Sequence, residues 1–205
     1  MIYLIGASGH AKVVLEILEI CGYEIGSLCD SNPSIISLLD YKVVTKLPED
    51  FNTDNDSLII SIGNNSIRKR IANEHSKNYA VAIHLRANIS KRAVISEGTV
   101  VMSGVCVNSE TRIGMHCIIN TNSSIDHDCI LENFVHVSPN AALAGNVFVG
   151  EGTHIGIGAS IIQGIKIGKW ATIGAGAVIV KDVPDYAVVV GNPGRILKYN
   201  RQDAE

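Results

Sequence analysis

From Ile83 to Ile179 every sixth residue is Ile, Val or Leu, seventeen in succession without a slip. A fixed period held over so long a stretch means stacked like units and outranks any local propensity. Six residues fit neither the 3.6 period of a helix nor the alternation of long strands. They fit short strands that each turn a corner and send one side chain to a shared axis. The position four after each aliphatic is often small, as at Thr99, Thr111, Cys117, Ser123, Ala141, Thr153 and Ala159. Glycine often follows the aliphatic directly, at Gly114, Gly150, Gly156, Gly168 and Gly174, where a corner would call for positive φ. The pattern predicts a parallel β-helix of hexapeptides, and an aspartate at a rung such as Ile119 should be severely destabilising.

Composition narrows the function classes. The 205 residues suit one large or two small domains, and a net charge of −3 with a pI near 6.2 argues against a nucleic-acid surface. Met1–His10 is too short and too interrupted by glycine for a signal peptide, and no apolar run approaches a membrane span. The five cysteines form no CxxC pair; Cys117 and Cys129 occupy the small slot, where a thiol acts as a compact hydrophobe. A reduced, cytoplasmic protein is expected.

Residues 1–82 follow a different grammar. Met1–Ile5 is an apolar run broken by the Gly6–His10 loop, and Val13, Val14, Ile17, Leu18 and Ile20 then recur at helical spacing up to Gly22. A second run, Ile25–Cys29, leads to Asp30; a third, Leu58–Ile62, leads to Gly63, Asn64 and Asn65. Ser66 would cap a helix through Ile67, Ile71 and Glu74. This order is that of a small Rossmann-like α/β unit, whose ligands sit at the carboxyl ends of the strands. Gly6, Ser8, Gly9, His10, Asp30, Gly63 and Asn64 all fall there. Gly6-x-x-Gly9 lacks the full dinucleotide fingerprint, so it reads equally as a tight turn or as a phosphate-facing helix start. Asp30 reads as a loop cap or as an acceptor for a nucleotide's sugar or base.

The hexad ladder resembles the left-handed β-helix of hexapeptide acyltransferases, in which three hexads complete a triangular coil of eighteen residues. With that coil, residues n and n+18 lie one above the other. His136 and His154 then stack, and His127 has Ser109 on one side and Gly145 on the other. A glycine over an imidazole leaves an open notch beside a base and a backbone N–H, the two things acyl transfer requires. Asp128 follows His127 directly, and strand neighbours point to opposite faces; it would hold the ring through a local turn or from another subunit. His10, His75, His84 and His116 read as solvated side chains, His10 with some claim from its glycine-rich loop. A zinc site from His127, His136 and His154 competes, but half a coil separates His127 from His136, and no metal is expected.

Longer segments carry a more specific likeness. Tyr3–His10, Ser61–Asn65 with Arg68, Asn120–Cys129, Val135–Pro139, Ala144–Asn146 and Gly191–Arg195 together resemble the NeuD/PglD family of sugar-nucleotide N-acetyltransferases and sialic acid O-acetyltransferases. The nearest likeness is to enzymes that acetylate a UDP-4-amino-4,6-dideoxy-N-acetylglucosamine on the route to bacillosamine. The resemblance implies a homotrimer with active sites between adjacent β-helices and acetyl-CoA as co-substrate. It divides the chain into a nucleotide-sugar unit (1–82), a catalytic β-helix (83–183) and a segment completing the CoA end (184–205). It makes His127 the general base and Asp128 its carboxylate. His136, Gly145, Ile155, Gly191 and Pro193 would contact acetyl-CoA, with the Gly145 N–H meeting the thioester oxygen. Gly6, Ser8, Gly9, His10, Asp30, Gly63, Asn64 and Asn120 would contact the nucleotide sugar. A sialic acid O-acetyltransferase, a β-helix metalloenzyme and a non-catalytic sugar-nucleotide-binding trimer stand as alternatives.

Overall fold

The computed structural model describes residues 1–49, 51–52, 54–75 and 78–200. The chain opens with strand β1 (Ile2–Ile5), helix α1 (Gly9–Ile20), strands β2 (Ile25–Cys29), β3 (Ser37–Leu38), β4 (Tyr41–Val44) and β5 (Ser57–Ile60), and helix α2 (Asn65–Glu74). The sheet order is β3-β4-β2-β1-β5, parallel except for the β3–β4 hairpin, as a Rossmann-like unit requires. In α1 the buried stripe is Ala11, Val14, Leu15, Ile17 and Leu18, while Val13 and Ile20 face outward. Helix α2 starts earlier than expected. Its N-cap is Asn64, not Ser66: the Asn64 Oδ1 accepts the Ile67 N–H at 3.0 Å, and the Ser66 hydroxyl donates to the same oxygen.

The remainder is an all-β, left-handed parallel β-helix. Seventeen two-residue strands, one per hexad, form the three faces of a triangular prism. The first face runs from Ala82–Ile83 to Thr172–Ile173, the second from Asn88–Ile89 to Val178–Ile179, and the third from Val94–Ile95 to Lys166–Ile167. Register confirms the eighteen-residue coil: Val107 pairs with Ile125, Ile113 with Leu131, and Ile119 with Val137. From Val101 to Ile179 the rungs are buried along the axis, with Cys117, Cys129, Ala141 and Ala159 filling the small slots. Thr99 and Thr153 satisfy their buried hydroxyls twice: each donates to a carbonyl and accepts an N–H from the next coil.

The corners depart from expectation. From Ile95 to Ile173 positive φ falls on the third residue after each aliphatic, not on the glycine that directly follows it. Gly98, Gly104, His116, Asn122, Asp128, Phe134 and Asn146 hold that left-handed position. The glycines after the aliphatics are required by stacking: a Cβ on Gly150 would lie 2.5 Å from the Lys169 nitrogen, and one on Gly156 2.5 Å from the Ile173 oxygen.

A second apolar core joins the two parts. Val14, Leu15, Ile17 and Leu18 of α1 belong to one cluster with Ala82, Val100, Met102 and Ile118 on the outside of the first face. The α/β unit therefore sits on that face. Beyond the prism, Ala187–Val190 continues the first face in parallel, and Arg195–Tyr199 returns antiparallel as its edge. Gly191 and Gly194 bracket Val178 with two backbone bonds, closing the second face.

Candidate active site

His127 stands at the edge between the second and third faces, after Ser124–Ile125 and before Ile130–Leu131. Asp128 occupies the left-handed corner position (φ 59°), which turns its carboxylate back beside its neighbour. Its Oδ2 lies 2.7 Å from His127 Nδ1, so the carboxylate holds the ring within one chain. The His127 N–H donates to Asp126 Oδ1, which also accepts from Asn108 Nδ2, both at 2.8 Å. The ring is 59% exposed, and its pKa is raised, first by the Asp128 hydrogen bond and then by the Asp126 charge. With Nδ1 engaged, Nε2 is the basic nitrogen. It faces Gly145, where a Cβ would sit 2.6 Å from Cε1 and 2.7 Å from Nε2. Glycine is the residue that leaves this shelf open.

The candidate nucleotide residues gather on the other side. A Cβ on Gly6 would lie 2.5 Å from Ile62, whereas Gly9 and Gly63 have open space around them. Asp30 caps the first loop, accepting the Ala7 N–H on Oδ2 and the Asn32 N–H on Oδ1, each at 2.9 Å. Ser8 is exposed at the start of α1. His10 is not a solvated histidine: burial, aided by the charge of Arg68, lowers its pKa to about 4, and its Nε2 is buried with no hydrogen-bond partner among the described residues.

On the first face, His136 and His154 stack with ring centroids 4.7 Å apart and planes within 6°. Asn120 Nδ2 lies 3.2 Å from His136 Nε2, and the Ser138 hydroxyl 2.7 Å from His154 Nε2. Burial, followed by the charges of His154, Arg68 and His10, pushes His136 down to about 3, against an opposing contact from the Gly63 backbone. His154 is lowered by burial and Arg68. These imidazoles are neutral near pH 7.

One chain thus gathers the candidate residues in two separate clusters. The loops at Gly6–His10 and Gly63, together with His136 and Asn120, meet over the first face. His127, Asp128 and Gly145 lie on the edge opposite that face. Ile155 departs from its expected place in a groove: its side chain is a fully buried rung inside the prism. Gly191 and Pro193 lie in the turn over the second face. His116 is buried and stacked on Phe134, against the expectation of a solvated ring, while His84 turns its Nδ1 to the Arg86 N–H. Among the described residues no group of three His, Cys, Asp or Glu is arranged to hold a metal. Among the same residues no helix is long and apolar enough to cross a membrane.

Three features escaped the sequence reading. Eighteen-residue spacing placed Asn108 beside Asp126 and would have found that pair. Ser138 with His154, sixteen residues apart, falls outside that arithmetic. Arg68, named only within the family likeness, gave no sign of its burial, because the apolar Ile67 beside it takes the exposed side of α2 and the arginine the buried one.

Comparison with known proteins matches two stretches of the chain. Residues 1–75 match the model of the PglD N-terminal domain, and residues 146–181 match the bacterial transferase hexapeptide (six repeats). The chain is similar to a perosamine N-acetyltransferase of Caulobacter crescentus solved with CoA and GDP-perosamine (37% identity, TM-score 0.88, 96% of each chain covered). It is similar also to the acetyltransferase domain of PglB from Neisseria gonorrhoeae in complex with acetyl coenzyme A, at 37% identity and a TM-score of 0.89, covering 96% of this chain and 98% of that one. An acyl-[acyl-carrier-protein]–UDP-N-acetylglucosamine O-acyltransferase of Stutzerimonas stutzeri is 34% identical over 116 residues, 53% of this chain and 45% of the relative. The chain spans about half the length of the curated relatives it matches. Near-complete overlap at more than a third identity, with an α/β unit and a hexapeptide prism in the same order, shows that the chain belongs to the NeuD/PglD-like family of left-handed β-helix sugar-nucleotide acetyltransferases.

Proposed function

We propose that the chain is an acetyl-CoA-dependent N-acetyltransferase acting on the amine of a nucleotide-linked amino sugar. The preferred substrate is UDP-4-amino-4,6-dideoxy-N-acetylglucosamine, whose product is UDP-N,N'-diacetylbacillosamine. The observation that carries this reading is the imidazole of His127, oriented by Asp128 with Nε2 turned to the Gly145 shelf. Two solved relatives add support: one holds CoA with GDP-perosamine, the other acetyl-CoA.

In the reaction, His127 Nε2 removes a proton from the sugar amine as nitrogen attacks the acetyl carbonyl. Asp128 balances the charge of the imidazolium that forms. The Gly145 N–H meets the tetrahedral oxyanion, and CoA leaves as the thiolate, which takes up the proton. His136 lies near the thioester, Asn120 near the sugar, and Gly191 and Pro193 at the far end of the CoA path. Gly6–His10, Asp30, Gly63 and Asn64 hold the nucleotide, whose diphosphate faces the start of α1. Because the half-sites lie on opposite sides of one prism, His127 of one copy serves the nucleotide loops of another, as a homotrimer of parallel prisms allows. The decisive assay follows CoA thiol release with acetyl-CoA and a panel of UDP-, dTDP- and GDP-linked 4-amino sugars. Selective turnover of a UDP-linked amino sugar is the expected outcome. Release with free sialic acid alone, or with none of the panel, would overturn it.

A further inference from the structure

Arg68 is the largest fully buried side chain of the described residues, with 1% of its surface exposed. All five of its N–H groups are used. Nε donates to the His116 carbonyl at 2.8 Å and Nη2 to the Phe134 carbonyl at 3.0 Å. Nη1 donates to the carbonyls of Ile62 (3.0 Å) and Gly63 (3.2 Å), and Nη2 also to Asn65 Oδ1 at 2.8 Å. Every acceptor is neutral, and no carboxylate pairs with the guanidinium among the described residues. A buried cation without a counter-ion is costly, so stability alone is a weak reason for its presence.

The partners have a pattern. His116 and Phe134 are left-handed corner residues on successive coils of the edge between the third and first faces. Their carbonyls receive no backbone N–H among the described residues. On the next coil the Gly152 carbonyl accepts from Asn65 Nδ2 at 3.0 Å. The edge thus offers a ladder of unpaired carbonyls, and the first turn of α2 supplies the donors. Three of the five Arg68 bonds tie down the Gly63 loop and two fasten it to the prism.

We propose that Arg68, with Asn65, is a positioning residue: a planar five-donor clamp that fixes the Gly63–Asn65 loop, and with it the bound nucleotide sugar, at a set height above His136. Its catalytic consequence rests on the acetyl-transfer reading above. Lysine keeps the charge but has three donors and no planar fork, so charge alone cannot restore the clamp.

Arg68→Lys is expected to raise KM for the nucleotide sugar about tenfold or more, leaving KM for acetyl-CoA within about twofold. Amide hydrogen exchange over residues 61–68 should accelerate, while the rungs around Val137 and Ile155 stay protected. Asn65→Ala, a milder change, should move both readouts in the same direction by a smaller amount. A lowered Tm with both KM values and the exchange of the loop unchanged would overturn the proposal. If the wild-type chain turns over no nucleotide sugar, the function assignment fails, and the exchange measurement alone decides on the clamp: faster exchange upholds it and unchanged exchange refutes it.

Discussion

Along one edge of the prism His127, the Asp128 carboxylate that orients it and the Gly145 shelf of the next coil come together. Replacing His127 with Ala removes the proton acceptor and should lower kcat by about 10²–10⁴-fold with the nucleotide-sugar KM nearly unchanged. Steady-state kinetics checks this, and undiminished turnover would refute the assignment. On the proposed mechanism Asp128 sets the pH at which the base works. Its hydrogen bond raises the His127 pKa, and only the neutral ring accepts a proton, so the acidic limb of kcat against pH lies above the ordinary histidine value. Asp128→Asn should move that limb to lower pH and reduce the maximum, whereas an unmoved limb would show that the carboxylate does not act on the base. The n+18 spacing placed Gly145 over His127 and His136 beside His154, because stacking in a β-helix follows directly from residue number. It did not tell where Asp128 points. That depends on which corner residue takes positive φ, and with Asn, Asp, His, Phe and Gly all at that position, composition gives no uniform signal.

Each hexad of the prism is too short to be stable alone, and the coil is held by rungs above and below. Ile119 is fully buried between Val101 and Val137. Ile119→Ala should cost about 2–5 kcal/mol, the range for truncating a buried aliphatic, and Ile119→Asp more, since a charge on the axis finds no partner. Denaturant unfolding of the alanine variant measures the first, and a change below about 1 kcal/mol would contradict the packing. The ladder was legible because its period is rigid. The α/β unit was legible in order but not in its ends: Asn64 rather than Ser66 begins α2, since both are good caps and only the backbone turn decides between them. The attachment of α1 to Ala82, Val100 and Ile118 was hidden, as those residues look like ordinary strand positions until a helix is seen to cover them.

Across the molecule, the join between the two parts is lined by neutral histidines, which makes stability respond to acid. His10 and His116 are lowered to about 4 and His136 to about 3, chiefly by burial. The unfolded chain therefore binds protons near pH 6.5 that the folded chain refuses until lower pH, and stability rises with pH through that window. Thermal melts should show Tm falling as pH drops from about 6.5 to about 4, with a shallower slope in His136→Gln; a flat Tm would contradict the buried, neutral assignment. On the proposed mechanism, the His127 edge and the His136 face, which one prism holds on opposite sides, act together only when a neighbouring copy supplies the other. Inactive His127→Ala and His136→Ala chains, unfolded, mixed and refolded together, test it directly. Recovery of a substantial fraction of wild-type acetyl transfer in the mixture, absent from either variant refolded alone, is the predicted result. A mixture that forms mixed oligomers yet stays as inactive as its components would contradict it.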